Sequence, residues 1–207
     1  MGFYSRYILP AVIGCACGAK PIRYQRRKVV PKAEGVVLEL GFGSGLNLPF
    51  YDASKVSHVY ALEPEEGMLT RARKVARNAP VAVTILPERA EDLSLKDASV
   101  DTVLVTYALC TIPDAVSALQ GARRVLKPGG KLVFCEHGLA PDEEVQRSQR
   151  NIEPFWKGFA GGCHLTRDIP ALIAQGGFRI GDMEKMYLPS TPRFAGYNYW
   201  GEAVAAG

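Results

Sequence analysis

Residues 36–45 read Val36-Val37-Leu38-Glu39-Leu40-Gly41-Phe42-Gly43-Ser44-Gly45, and this stretch decides the fold. A short apolar run carrying one carboxylate, Glu39, gives way to three glycines at alternate positions. An apolar run without polar alternation suits a parallel strand buried on both faces. Glycines let the backbone turn sharply and come close to a ligand that a Cβ would exclude. The spacing is not G-x-G-x-x-G, so a dinucleotide fingerprint fits poorly. Taken alone, the same residues also suit a tight strand-to-helix turn with no ligand.

Working outward, strands and helices alternate. His58–Leu62 reads as a second strand ending at Glu63, followed by Pro64, Gly67, Met68 and a helix carrying Arg71, Arg73, Lys74 and Arg77. Val81–Leu86 and Asp101–Thr106 read as a third and a fourth strand. A helix from about Asp114 to Leu126 leads through Lys127-Pro128-Gly129-Gly130 to a fifth strand, Lys131–Cys135. Such alternation gives a parallel sheet with right-handed crossovers. Ligands of open α/β sheets lie beyond the carboxyl ends of the strands. That places Thr106–Ile112, Glu136 and His137 at the expected active rim. Residues 138–166 are polar at first, then aromatic (Phe155, Trp156, Phe159). A helix from about Arg167 to Gln175 closes at Gly176-Gly177, a suitable C-cap. Phe178–Asp182 and Tyr197–Val204 form the expected final antiparallel pair.

The chain has 207 residues, enough for one domain with a sizeable core, and no internal repeat is visible. Its five cysteines lack a scaffold spacing, which predicts a reduced, cytoplasmic setting. Cys15 and Cys17 have no matching second pair, so no metal site is expected. Cys110 and Cys163 read as small buried hydrophobes. The net charge of +4 is unevenly placed: residues 1–35 hold seven Lys or Arg and one acid, leaving 18 basic and 20 acidic residues beyond them. A basic, apolar leader suggests peripheral contact of residues 1–32 with an anionic membrane, with Phe3, Tyr4, Tyr7 and Ile8 inward. The alternative is a solvated cap helix over the ligand. The apolar run Ile8–Ala19 is 12 residues long, too short to span a bilayer.

The pattern Glu39-x-Gly41-x-Gly43-x-Gly45 resembles the first motif of class I S-adenosylmethionine (SAM)-dependent methyltransferases. That resemblance implies a Rossmann-like doubly wound α/β sheet of seven strands, mostly parallel with an antiparallel last strand, and helices on both faces. It implies SAM as cofactor, with the glycine loop under its methionine part. Glu63, about 20 residues past the loop, is the expected acceptor for both ribose hydroxyls; the alternative is a carboxylate favoured at a helix N-terminus. Pro64, Met68 and Thr106 complete the expected cofactor shell. The family's adenine-reading N–H and carboxylate map to Ala90 and Glu91, although Arg89 stands where many relatives have Asp. The resemblance divides the chain into a basic cap (1–35), a SAM-binding core (36–137), a substrate-covering insertion (138–166) and a C-terminal helix and strand pair (167–207), all in one domain.

Residues 36–137 look like the broad group containing the ubiquinone and menaquinone methyltransferases. Val105-Thr106-Tyr107-Ala108-Leu109-Cys110, Phe134-Cys135-Glu136-His137, Pro154-Phe155-Trp156 and Gly162-Cys163-His164-Leu165-Thr166-Arg167 are similar to the membrane-associated thiol methyltransferases of mammals. They also resemble bacterial proteins labelled phosphatidylethanolamine N-methyltransferases. Those mammalian relatives carry a long apolar N-terminal anchor where this chain shows a short basic leader. The expected reaction is in-line methyl transfer to a thiol sulfur or a phospholipid amine, driven by alignment and desolvation. His137, Tyr107 and His164 are the candidate catalytic groups. A quinol-type oxygen or carbon acceptor, a nucleotide-binding oxidoreductase and a non-enzymatic membrane-surface protein are the alternatives. A nucleic-acid partner is not expected, because no Asp/Asn-Pro-Pro-Tyr loop follows the fourth strand.

Overall fold

The computed structural model describes residues 17–207. The leader's first sixteen residues, with Phe3, Tyr4, Tyr7, Ile8 and Cys15, lie outside the described residues. Helix α1 (Lys20–Val29) precedes strand β1 (Gly35–Leu40). Then follow β2 (Val56–Leu62), α2 (Glu66–Ala76), β3 (Ala82–Leu86), β4 (Val100–Thr106), α3 (Ala115–Val125), β5 (Leu126–His137), α4 (Glu143–Phe159), α5 (Ile169–Gln175), β6 (Phe178–Tyr187), the one-turn α6 (Arg193–Gly196) and β7 (Tyr197–Ala205). The strands form one sheet in the order β3-β2-β1-β4-β5-β7-β6. Every pairing is parallel except those of β7, which runs against both β5 and β6. The expected doubly wound sheet with its reversed last strand is therefore present.

Strand alternation builds a core on each face. Leu38, Leu40, Leu62, Val103, Val105, Leu132 and Phe134 face one side, against Leu119 and Ala122 of α3 and Ile169 and Ile173 of α5. Val37, Val59, Ala61, Leu104, Val133 and Cys135 face the other, against Val29 of α1, Ala72 of α2 and the loop residues Phe42, Leu48 and Tyr51. Burying each such Leu or Val contributes about 1.5–3 kcal/mol. Local signals set the helix starts: Asp114 accepts from the Ser117 N–H at α3, and Asp168 accepts from the Ala171 N–H at α5. α5 accordingly begins at Ile169, two residues after the expected Arg167, since its cap is Asp168.

Beyond the later start of α5, β6 runs on to Tyr187 rather than ending at Asp182, and two further segments differ from the sequence reading. β5 starts at Leu126, directly after α3, because Leu126 pairs with Val100 before a register shift absorbs the Lys-Pro-Gly-Gly turn. Residues 143–159, read only as a polar-to-aromatic covering segment, form the longest helix among the described residues despite Pro154. Buried Gln149 holds it in place: its amide accepts from the Ala140 N–H and donates to the carbonyls of Gly138 and Phe194.

Candidate active site

The glycine loop leaves the carboxyl end of β1, the strand flanked by β2 and β4. Gly41, Gly43 and Gly45 have φ of 68°, 58° and 79°, conformations that L side chains rarely adopt. The reasons for glycine differ. A Cβ on Gly41 would lie 2.5 Å from the Cβ of Ala108, so Gly41 is needed for packing against the β4 loop. A Cβ on Gly43 would meet nothing within 4 Å. Gly43 alone of the three faces open space, where a ligand can approach the backbone.

Glu63, at the end of β2, is buried and joins this loop to the start of α2. Its Oε2 accepts from the Gly43 N–H at 2.7 Å, and its Oε1 from the Glu65 N–H at 2.9 Å. Burial raises its pKa above the usual carboxylate range, against the lowering effect of those two N–H groups. Each carboxylate oxygen retains a lone pair for a further donor such as a hydroxyl. Pro64 is exposed and Met68 half-buried beyond Glu63, on the same rim. Ala90 is buried in a short 3-10 turn after β3; Glu91 beside it accepts from the Asp114 N–H at 3.3 Å and lies 3.9 Å from Arg89.

Glu39 and Thr106 sit beneath the loop, in a buried polar network. Glu39 accepts from Tyr51 Oη at 2.6 Å and Asn47 Nδ2 at 2.9 Å. Asn47 Nδ2 also reaches Thr106 Oγ1 at 2.9 Å. Arg26 of α1 completes it, donating Nη1 to Asn47 Oδ1 at 2.7 Å and to Thr106 Oγ1 at 2.6 Å. Each Glu39 oxygen thus accepts one hydrogen bond from the loop's own scaffold. Burial pushes the Glu39 carboxyl up to about 7, opposed by Tyr51, Asn47 and Arg26. Sequence reasoning missed Arg26 and Asn47. The available signal was the inward face of α1, where Gln25, Arg26 and Val29 cluster.

The three candidate catalytic groups follow β4, close β5 and follow α4, and each is already engaged. Tyr107 follows β4 with φ of 53°, an uncommon conformation for a bulky residue. Its Oη donates to Asn198 Oδ1 at 2.6 Å, and the Arg26 guanidinium lies 5.2 Å from its ring centre. Burial, then Cys135, lifts its pKa well above the usual value, so the phenol stays protonated. His137, closing β5, has Nε2 at 3.1 Å from Cys163 Sγ, while its Nδ1 is buried without a hydrogen-bond partner. Burial alone would lower its pKa, but the Cys163 and Glu136 charges outweigh that and raise it. His164 Nδ1 lies 3.2 Å from Glu153 Oε1, and its backbone N–H donates to the Cys110 carbonyl. Glu153 also accepts from the Leu165 and Thr166 N–H groups and Thr166 Oγ1, so His164 belongs to a carboxylate clamp under α4.

Glu136, adjacent to His137, accepts from the Ala108 and Leu109 N–H groups at 2.8 and 3.1 Å and fixes the turn after β4. Burial raises its carboxyl to about 7 despite those bonds. Arg167 holds the far side of that turn through the carbonyls of Leu109, Ile112 and Pro113. Cys110 and Cys163, far apart in sequence, are brought against His137. Reading each cysteine as an isolated small hydrophobe therefore misses that they share one cluster.

Comparison with known proteins agrees with this geometry. Residues 38–134 match a methyltransferase domain family. The chain is 38% identical over 137 residues to the thiol S-methyltransferase TMT1B of Rattus norvegicus, covering 65% of this chain and 56% of the relative. It is 32% identical over 169 residues to TMT1B of Homo sapiens, covering 77% and 68%. The chain thus spans between about half and two thirds of the length of these relatives. A SAM-dependent methyltransferase from Leishmania major superposes with a TM-score of 0.70 at 17% identity, covering 97% of this chain and 80% of that one. The loop, the carboxylate behind it and these matches place the chain in the class I SAM-dependent methyltransferases, where it resembles the thiol S-methyltransferases.

Proposed function

We propose that this protein transfers the methyl group of SAM to the sulfur of a small lipophilic thiol. The observation that carries the choice of sulfur is the state of the three candidate bases. Tyr107 is held protonated, His137 is tied to Cys163, and His164 is tied to Glu153. Of the buried side-chain atoms of these three groups, only His137 Nδ1 lacks a hydrogen-bond partner, and its ring is already in contact with Cys163. A thiol ionises near neutral pH and needs little help, whereas an ammonium must first lose its proton to a base. The similarity to TMT1B points the same way.

In this reading Gly43 lets the donor lie against the backbone, and Glu63 accepts its ribose hydroxyls. The Ala90 N–H and Glu91 read the adenine, with Pro64 and Met68 along the rim. Glu39, Asn47, Thr106 and Arg26 keep the loop in shape. The attacking sulfur approaches from the β4–β5 side, under the 138–166 insertion. Methyl transfer then needs in-line alignment and exclusion of water, with no covalent enzyme intermediate.

A phospholipid amine is the second reading, favoured by a specific surface. α1 exposes Lys20, Arg23, Arg27 and Lys28, and α4 exposes Phe155 and Phe159, side chains suited to an anionic lipid surface. No helix among the described residues is long and apolar enough to cross a membrane. Labelled SAM offered to a lipophilic thiol and, in parallel, to vesicles containing phosphatidylethanolamine separates the readings. Label in a thioether is expected; label only in the lipid overturns the thiol reading and turns attention to His137 and Tyr107 as groups that deprotonate the amine.

A further inference from the structure

Cys110 lies in the turn after β4, His137 closes β5, and Cys163 follows α4. Three separate segments thus deliver two thiols and an imidazole whose ligand atoms all fall within 4.8 Å of one another. Both cysteines are reduced and buried. In a tetrahedral zinc site, bonds of about 2.3 Å to sulfur and 2.0 Å to nitrogen put neighbouring ligand atoms roughly 3.5–3.8 Å apart. The His137 Nε2 to Cys163 Sγ distance of 3.1 Å needs only a few tenths of an ångström to match. Two soft thiolates and one imidazole form a donor set suited to zinc, and not to hard cations such as magnesium or calcium.

The cluster lies in a buried polar neighbourhood. Glu136 Oε2 and His137 Nδ1, beside the cluster, are buried without a partner among the described residues, and Trp156 acts on the Cys163 thiol through its indole N–H. The cluster is anchored on every side. Glu136 and Arg167 fix the turn bearing Cys110, and the Glu153 clamp fixes the segment after Cys163.

We propose that Cys110 Sγ, Cys163 Sγ and His137 Nε2 form a three-ligand site for a thiophilic divalent ion of the zinc class. Three protein ligands with a fourth position left open are the arrangement of a catalytic rather than a structural zinc site. The fourth position suits a sulfur ligand from outside the chain. One consequence rests on the thiol-transfer reading: the acceptor thiol occupies that position. On binding, the thiol releases its proton to solvent. The metal-held thiolate lone pair forms the new S–CH3 bond while the donor's S–CH3 bond breaks. A neutral thioether and neutral S-adenosylhomocysteine leave, and the metal keeps its charge.

Elemental analysis and cadmium substitution test the site without donor or acceptor present. The reduced protein, loaded with Zn2+ and desalted, is expected to retain about one zinc per chain. Cys110→Ser and His137→Gln are expected to lose affinity by more than the roughly 10–100-fold that removal of an outer-shell partner costs. Cd2+ in the unaltered protein is expected to give a thiolate-to-metal ultraviolet band of two-sulfur intensity, falling to one-sulfur intensity in Cys163→Ser. Binding of S-adenosylhomocysteine identifies variants that remain folded. Two results overturn the proposal: an unaltered reduced protein with neither zinc nor a cadmium band, or a chain lighter by two hydrogens with Cys110 and Cys163 cross-linked. Because neither readout involves methyl transfer, losing the metal site leaves the thiol reading standing, and the reverse also holds.

Discussion

Replacing Gly43 and Gly41 separately distinguishes a ligand-facing glycine from a packing glycine. At Gly43 the φ of 58° penalises any side chain, and the space beyond its Cβ is open. A left-handed non-glycine residue costs about 1–3 kcal/mol. For a chain of this size that corresponds to a fall in Tm of roughly 2–12 °C. The valine methyls of Gly43→Val would project where the donor is expected to lie, so SAM affinity should drop by at least about 100-fold, or about 2.7 kcal/mol. At Gly41 the φ is 68° and the added Cβ meets Ala108 Cβ at 2.5 Å. Strain and overpacking together cost about 2–6 kcal/mol there, so Gly41→Ala should lower Tm more than Gly43→Val does. Thermal melts paired with calorimetric titration of SAM and S-adenosylhomocysteine measure both effects. A folded Gly43→Val protein that binds SAM within about threefold of the parent would refute the placement of the donor.

Glu63→Ala should weaken SAM by about 1–3 kcal/mol, the cost of leaving two ribose hydroxyls unpaired, read in the same titration. Glu39 and Glu136 are both held near a pKa of about 7 by burial. Between roughly pH 4.5 and 7 the folded chain binds more protons than the unfolded one at these sites. Their contribution to stability is therefore full at low pH and is lost as pH rises through 7, by on the order of 3 kcal/mol each. Glu39→Gln should flatten that part of the Tm–pH profile, and an unchanged slope would show that Glu39 does not titrate there. Arg26→Met should unpair Asn47 and Thr106 and loosen the glycine loop, lowering both Tm and SAM affinity. Arg26→Met with parental SAM affinity would remove α1 from the account of the site.

The parallel strands were legible as short apolar runs, with Gly41 and Glu63 marking the ends of β1 and β2. Glu63 was legible by its distance from the glycine loop. α4 was hidden: Pro154 breaks the helical pattern, and its anchor is buried Gln149, whose partners are backbone groups of Gly138, Ala140 and Phe194. Arg26 was hidden for a related reason. A basic residue in a basic leader reads as solvated, yet it is 6% exposed because it finds Asn47 and Thr106 from two other segments. The cluster of Cys110, His137 and Cys163 had no signature at all, since sequence spacing cannot show that three loops meet. The motif marks Glu39 but not its partners: its hydrogen bonds to Tyr51 and Asn47 join residues that only the fold brings together.

Mass spectrometry of a reaction containing methyl-labelled SAM and one lipophilic thiol tests methyl transfer from SAM to sulfur. One labelled methyl thioether is expected for each S-adenosylhomocysteine formed, with both products abolished in Gly43→Val. S-adenosylhomocysteine without the thioether, or thioether formation that survives Gly43→Val, would contradict it.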